Sequence, residues 1–214
     1  MDPNAVLDKV MRLGRLDTTV FDEVKDDLNE TVPAIVIVAI ASLVAGIGVW
    51  LWLLVGGPEG YDVDFANLLV NVWLLGTIFS VVLWAIWVAV TYVVLVQVYK
   101  ESVDFQTLLR PMGYAAIPLT LTVFMVVSGV ALGIGIVAMA LWFVFAIYAT
   151  QAASNASSDR VVVATTAGFA VYCIVMAFLG SQTGMTTGVF STDPDAVFEG
   201  EYVDLPTADD FDFD

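Results

Sequence analysis

Few residues in this sequence are of the types that carry out covalent chemistry. The chain contains no histidine, and its one cysteine, Cys173, lies in a long apolar run. Apolar surroundings disfavour the thiolate that acts as a nucleophile or a metal ligand, so we expect Cys173 to be a packing residue. Without histidine the commonest general base and metal ligand is missing. The sequence therefore predicts no catalytic residue, no metal site and no cofactor, and we expect the protein not to be an enzyme.

Uncharged polar side chains in and beside the apolar runs could do a second kind of chemistry, which is to line a path for a solute. These residues are Asn67, Asn71, Ser80, Thr91, Gln97 and Ser128. The same side chains could instead form hydrogen bonds between helices. Transport of ions or protons usually leaves an ionisable residue inside a membrane helix, and the long apolar runs contain none. A small transporter or channel subunit for a neutral solute is therefore an alternative function.

A polar turn, Tyr99–Pro118, separates two of the long apolar runs and contains Lys100. Five of its residues are candidate motif or partner-contact residues: Phe105, Arg110, Gly113, Tyr114 and Pro118. Gly113 permits close backbone approach, and Tyr114 can lie at the membrane interface with its hydroxyl among the headgroups. Pro118 is expected near a helix start, where its missing backbone donor costs least. The turn could either terminate and aim the following helix or contact a cytosolic partner.

Membrane helices must position these residues. The chain has 59% hydrophobic residues, 14% charged residues and a mean hydropathy of +0.88, which is typical of an integral membrane protein. We predict an all-α integral membrane protein, a five-helix transmembrane bundle with a short N-terminal amphipathic helix. The lengths of the apolar runs predict spans at about 33–55, 68–98, 114–131, 134–152 and 161–180.

Two apolar runs are too long for one simple span. The run 66–99 would be about 50 Å long as an α-helix, against a hydrocarbon core of about 30 Å, and could be one long tilted helix or a broken one. The run 115–154 has room for two helices, and we expect a tight hairpin at Ser128–Gly135. Gly129 and Gly133 could instead make a GxxxG contact within a helix. In the first span, Ser42 and Gly46 form a small-residue face for another helix.

Polar segments flank the bundle. Residues 1–31 form a segment whose amphipathic helix is indicated by Asp2 as the N-cap, Pro3 in the first turn and apolar residues at helical spacing. This helix could dock against the bundle or lie on the membrane surface. The first apolar run begins too late and is too long for a signal peptide. Residues 181–214 are acidic, and we expect them to form a disordered extracytoplasmic tail.

The charges predict an orientation and exclude one class of partner. With five spans, all seven lysines and arginines fall on one side of the membrane. The positive-inside rule then places the N-terminus in the cytoplasm and the C-terminus outside a cell membrane. A net charge of −16 argues against a nucleic-acid partner. Polar segments rich in acids and poor in lysine also suit a very salty medium, so we expect a halophilic acidic protein.

Around the polar turn the sequence resembles the Yip-one (Ypt/Rab-interacting) membrane domain family, in its prokaryotic and archaeal type. The resemblance rests on Phe105, the pair Gly113-Tyr114 and Pro118 at the entry to the third of five spans. An acidic stretch with an aromatic residue, Phe21–Asp27, precedes the first span in the same way. The resemblance covers about residues 15–180.

The resemblance implies a non-enzymatic scaffold or adaptor in membrane organisation or trafficking-like processes. Eukaryotic members of the family have a longer cytosolic N-terminal region and are linked to vesicle budding and to prenylated small GTPases. Because the segment before the first span is short here, that partner is not carried over. The expected partners are the lipid bilayer and a membrane or cytosolic protein, or further copies of the chain.

Overall fold

A computed structural model describes residues 3–56, 68–127 and 130–183 of the chain, and within these ranges the only regular structure is helical. The α-helices are α1 (Pro3–Gly14), α2 (Val20–Lys25), α3 (Thr31–Gly56), α4 (Gly76–Val93), α5 (Phe105–Tyr114), α6 (Ala131–Ala153) and α7 (Ser158–Thr183). A 3-10 turn, Leu28–Glu30, leads into α3. Three residues discussed above lie outside the described residues: Asn67, Ser128 and Gly129. The predicted acidic tail, residues 181–214, lies outside them from residue 184 onwards.

Within the part of the chain that the structure describes, five helical segments are long and apolar enough to cross a membrane. The first span is α3, the second is α4 with its flanking turns, the third is α5 with the segment Ile117–Val126, the fourth is α6 and the fifth is α7. The first span packs on the second and third, the third packs on the fourth, and the fifth joins the fourth to the second. The predicted all-α bundle of five spans with an N-terminal helix is confirmed.

Of the run 66–99, which could be one long or one broken helix, the structure describes residues 68–98 as one continuous helical segment. Helical backbone continues from the π-helical segment Leu68–Leu75 through α4 to a second π-helical segment, Val94–Val98. A π-helix bonds residue i to residue i+5, so each of its turns takes up more residues than an α-helical turn. This wider winding shortens a block that would otherwise be too long for the membrane. The Trp73 indole nitrogen fixes one end by donating to the Leu43 carbonyl oxygen at 3.0 Å.

The third span changes helix type after α5. Its second part, Ile117–Val126, is a 3-10 helix, in which side chains three residues apart lie on one line. The buried side chains of this segment include Leu119, Thr122 and Met125. The first span approaches this line closely, because a Cβ on Gly48 would lie 2.1 Å from the Thr122 carbonyl oxygen.

The long run 115–154 contains two helices. One ends at Val126 and α6 begins at Ala131. A Cβ built on Gly133 meets nothing within 4 Å, so Gly133 makes no close helix contact and the GxxxG alternative is not supported there. The predicted small-residue face of the first span does contact its neighbour. Ser42 donates to Ser80 Oγ at 3.2 Å, and a Cβ on Gly46 would lie 2.7 Å from the Trp73 ring.

Aromatic rings fill the middle of the bundle. The centroid of Trp87 lies 5.1 Å from that of Trp142 and 5.9 Å from that of Tyr172, and Trp142 and Tyr172 are 5.2 Å apart. These rings come from the second, fourth and fifth spans, so their contacts hold three helices together. The Tyr172 hydroxyl also lies 3.4 Å from Ser80 Oγ, and Ser80 in turn bonds Ser42 of the first span.

A candidate functional site at the charged end of the bundle

Three charged segments meet at one end of the bundle, which we call the charged end: residues 3–31, 99–114 and 152–160. The Lys25 ammonium donates to the Ala152 carbonyl oxygen at 3.0 Å, which joins the first segment to the third. Arg160 pairs with Glu101 at 2.6 Å, which joins the third to the second. Its guanidinium also lies 5.7 Å from the centroid of the Tyr99 ring. Basic residues from all three segments therefore share one end of the molecule.

Helix α5 positions most of the candidate residues of the polar turn. Its N-cap is Asp104, whose carboxylate accepts hydrogen bonds from the backbone N–H groups of Gln106 and Thr107 at 2.9 and 3.1 Å. An aspartate in this position is a favoured N-cap because it satisfies helix donors that have no other partner. Arg110, Gly113 and Tyr114 then recur at helical spacing and share the side of α5 that faces the bundle.

Arg110 forms the first of two buried polar joints. It is 2% exposed, and its Nε donates to Thr31 Oγ1 at 3.0 Å. One terminal nitrogen donates to the Lys25 carbonyl oxygen, and the other lies 3.4 Å from Gln106 Oε1. Lys25 is the last residue of α2, so the guanidinium binds the negative end of that helix. Arg110 thereby fixes α2 and the start of α3 against the third span.

Glu30 forms the second buried joint. It is 7% exposed, and its carboxylate accepts hydrogen bonds from the Tyr114 hydroxyl and the Lys9 ammonium. Glu30 lies in the 3-10 turn before the first span, Tyr114 lies in α5 and Lys9 lies in α1. A buried carboxylate is strongly destabilising unless donors surround it, so this contact requires α1 and α5 to stay in place.

Tyr114 does not take the position among the headgroups that its residue type allows. Its side chain is 0% exposed, and its hydroxyl points inward to Glu30. The physical reason is that a buried carboxylate needs a donor, whereas a phenol at the interface could bond water equally well. Sequence reasoning missed Glu30 and its partner Lys9. One signal could have identified Glu30: it is the last charged residue before the first long apolar run.

Gly113 and its neighbours shape the contact between the first and third spans. A Cβ on Gly113 would lie 2.7 Å from Ala34 Cβ and 2.8 Å from the Ala34 carbonyl oxygen, so only glycine allows this approach. Pro118 is buried and lies in the first turn of the 3-10 helix, the position where its missing backbone N–H is tolerated best. Phe105 is half-buried and packs edge-on against Tyr92, with 5.5 Å between centroids.

The candidate residues of the polar turn are therefore mostly internal. Arg110, Gly113, Tyr114 and Pro118 are buried, and Phe105 is half-buried. Their burial favours the interpretation in which the turn aims the third span. The structure adds that two of them, Arg110 and Tyr114, anchor the segment before the first span. Direct contact between these side chains and a partner stays a prediction.

A more exposed network joins α1 to α2. Arg12 donates to Asp17 Oδ2 at 2.9 Å and to Glu23 Oε1 at 2.7 Å. Its hydrogen bond holds the pKa of the Glu23 carboxyl below the usual range. Hydrogen bonds from Thr19, and then from Arg12, lower the pKa of Asp17 in the same way. Sequence reasoning did not identify this network, because it joins residues on two helices through a turn.

Two of the polar residues considered for a solute path, Ser80 and Thr91, take part in contacts within the bundle. Ser80 lies between Ser42 and Tyr172, Thr91 donates to the Trp87 carbonyl oxygen at 2.9 Å, and Gln97 is exposed. The side chain of Asn71, like Asn67 and Ser128, lies outside the described residues. Among the residues that the structure describes, no group of three or more His, Cys, Asp or Glu side chains could hold a metal ion.

Comparison with known proteins agrees with the architecture. A model of the Yip1 domain matches residues 18–180, a range that contains α2, the joint residues Arg110, Glu30 and Tyr114, and all but the last residues of the five spans. No curated protein and no solved structure matches the sequence. The match covers most of the chain and confirms the resemblance seen at the polar turn. The chain belongs to the Yip1 domain family.

Proposed function

We propose that this protein is a non-enzymatic scaffold or adaptor whose charged end presents a surface of fixed shape to another protein. The observation that carries the proposal is the pair of buried joints, Arg110 and Glu30, which hold the N-terminal segment on the third span. Burying an ionised group adds little net stability even when it is well bonded, but removing one partner is strongly destabilising. Joints of this kind suit a surface that is recognised by its shape.

The surface held in this way is acidic. Exposed carboxylates lie along α2 and the turn after it, at Asp22, Glu23, Asp26 and Asp27. Asp22 pairs with Lys25 and Glu23 pairs with Arg12, so the negative excess is concentrated at the turn. A partner with a basic surface would be attracted to this face and oriented on it. Charge complementarity therefore defines the partner in this proposal as a basic protein surface.

In this proposal the charged end faces the cytoplasm and the protein resides in the cell membrane. The lysines and arginines of three separate segments meet there, and the positive-inside rule assigns such an end to the cytoplasm. A partner would then be a cytosolic protein or the cytosolic part of a membrane protein.

The proposal is tested by extracting the tagged chain from its native membrane in a buffer that has the salt concentration of the cells' own cytoplasm. We expect mass spectrometry to find a second protein in an amount comparable to the chain. Asp26→Lys reverses a charge on the acidic face and should lose this protein. Asn155→Lys is the matched control, because Asn155 is exposed at the same end on another loop. Equal recovery with both variants, or recovery of the chain alone, would contradict the proposal.

Movement of a neutral solute is the competing function. The hydroxyls of Ser80 and Thr91 already form hydrogen bonds within the bundle, so no described contact specifically favours a solute path. If vesicles that contain only the purified chain took up a neutral solute, the protein would be a transporter and the scaffold proposal would be wrong. We expect such vesicles to show the same uptake as empty ones.

A further inference from the structure

Helix α1 has one side that is held on the bundle. Leu13 is fully buried, and Val6 and Val10 pack against the same core. Lys9 lies on this side as well, since its ammonium reaches Glu30. The docking alternative considered for this helix therefore describes one of its sides.

A second side of α1 is apolar and exposed. Leu7 is 55% exposed and Met11, one turn further on, is 50% exposed. At about 100° per residue these two side chains point about a third of a turn away from the docked side. Asp8 and Arg12 point about a third of a turn further round. The helix thus has a docked side, an exposed apolar side and a polar side.

Helix α1 is held at the level at which the first span begins. The ion pair between Lys9 and Glu30 brings the middle of α1 to the turn before α3. On either side of Glu30, Leu28 is 72% exposed and Val32 is 62% exposed. Exposed apolar side chains continue along the first span at Ile35, Val36 and Ile40. Leu7 and Met11 are therefore exposed near the level at which the apolar run of the first span begins.

The geometry points to α1 as an interfacial helix, in which Leu7 and Met11 enter the boundary between headgroups and acyl chains while Asp8 and Arg12 face water. The exposed strip is two side chains long, far smaller than the roughly 800 Å² per partner of a stable protein interface. Lipid contact needs no minimum area here, because the five spans already hold the chain in the membrane.

In this proposal α1 is attached to the bilayer by apolar contacts and not by its charges. Lys9 is engaged with Glu30, and Arg12 is engaged with Asp17 and Glu23. Neither cation depends on an anionic headgroup for a partner. The helix should therefore enter a bilayer of neutral phosphatidylcholine, and it does not require the protein partner proposed for the acidic face.

Depth-dependent fluorescence quenching tests this arrangement. In a Cys173→Ala background, Met11→Cys and Asp8→Cys each receive one environment-sensitive nitrobenzoxadiazole label, and the purified full chain is placed in phosphatidylcholine vesicles. We expect spin-labelled lipid to quench the label of Met11→Cys several-fold more than aqueous iodide does. The label of Asp8→Cys should show the opposite preference. Both labelled proteins should elute from size-exclusion chromatography like the unlabelled chain.

Two further measurements keep the result decisive. Leu7→Cys should reproduce the lipid quenching of Met11→Cys, since the two residues share one side of the helix. Quenching of both apolar positions by iodide, at the level seen for Asp8→Cys, would overturn the proposal. Shielding from iodide in native membranes but not in pure phosphatidylcholine would also overturn it, because a protein would then cover the strip.

Discussion

The charged end and the middle of the bundle both bury polar groups, but they do so with different chemistry. At the charged end the buried side chains are of ionisable types, as Arg110 and Glu30 show. In the middle they are neutral, as in the contacts among Ser42, Ser80 and Tyr172. A charge in the centre of a bilayer is destabilising by several kcal/mol, whereas water and headgroups reduce that penalty near the interface. Each kind of joint is used where the surrounding medium allows it.

The difference also separates two tasks. The neutral contacts in the middle hold membrane helices side by side, where lipid and side chains offer similar apolar surroundings. The charged joints hold the N-terminal segment to the third span, although the bonded residues are 79 to 85 positions apart in the sequence. Variants at the charged end should therefore destabilise the molecule more than matched variants in the middle.

The largest difference in the free energy of unfolding is expected between the variants Arg110→Ala and Ser80→Ala. Removing the guanidinium leaves a cavity and leaves the Lys25 carbonyl and the Thr31 hydroxyl without their donor, which should lower the free energy of unfolding by about 3–5 kcal/mol. Loss of a neutral hydroxyl contact between membrane helices should cost about 0.6 kcal/mol. Unfolding in mixed detergent and dodecyl sulfate measures both values. Arg110→Lys should fall between them, and equal losses for Arg110→Ala and Ser80→Ala would remove the distinction.

The next largest difference in stability is expected between two glycine-to-alanine variants, one at a close helix contact and one in open space. Gly113→Ala forces a Cβ to within 2.8 Å of the Ala34 carbonyl oxygen, so the first and third spans must separate. We expect a loss of about 1–3 kcal/mol in the same unfolding measurement. Gly133→Ala is the matched control, because nothing lies within 4 Å of its Cβ position and alanine favours the helix by up to about 1 kcal/mol. Similar losses at both glycines would contradict the close contact.

The tyrosine pair should show a smaller difference. Tyr114→Phe removes a donor from the buried carboxylate of Glu30 and should cost about 1–2 kcal/mol. Tyr172→Phe removes a neutral contact with Ser80 and should cost about 0.6 kcal/mol. A double-mutant cycle with Glu30→Gln should give a coupling energy for Tyr114 that is clearly above zero. Additive effects in that cycle would show that the two residues do not interact.

The smallest effect should come from the exposed network around Arg12. Because the pKa values of Glu23 and Asp17 are lowered in the folded protein, their contribution is present above their unfolded pKa values of about 4. It is lost as the pH falls through the lower folded values. Hydrogen exchange of the α1 amides, corrected for intrinsic rates, should increase slightly over that acidic range. Glu23→Gln should weaken this dependence, whereas unchanged dependence would show that the network does not hold α1.

The five spans and the family could be predicted because long uncharged runs and the short motif at the third span are local signals. The run 115–154 divides into two helices for the reason that its length suggested. The direction of Arg110 could not be predicted in this way. An arginine near the end of an apolar run can reach water or turn inward, and the choice here depends on the Lys25 carbonyl, which is 85 positions away.

Helix type was the other feature that the sequence did not indicate. The π-helical turns around α4 and the 3-10 helix after α5 change the residue spacing on which hydrophobic patterns are judged. Burial at Leu119, Thr122 and Met125 follows a period of three, which places these side chains on one line of a 3-10 helix, whereas an α-helix would spread them over about a third of a turn. The close approach of Gly48 stabilises this segment through tertiary contacts that no local pattern encodes.

The 3-10 form of the third span also determines how thick a membrane this span fits. Its ten residues, Ile117–Val126, rise about 20 Å as a 3-10 helix and would rise about 15 Å as an α-helix. The joints at Arg110 and Tyr114 hold the start of the span in place, so the extra length extends towards the far side of the bilayer. Cellular membranes differ in thickness by a few ångströms. The choice of helix type in one short segment therefore changes the reach of this span by about 5 Å, as much as separates one membrane from another.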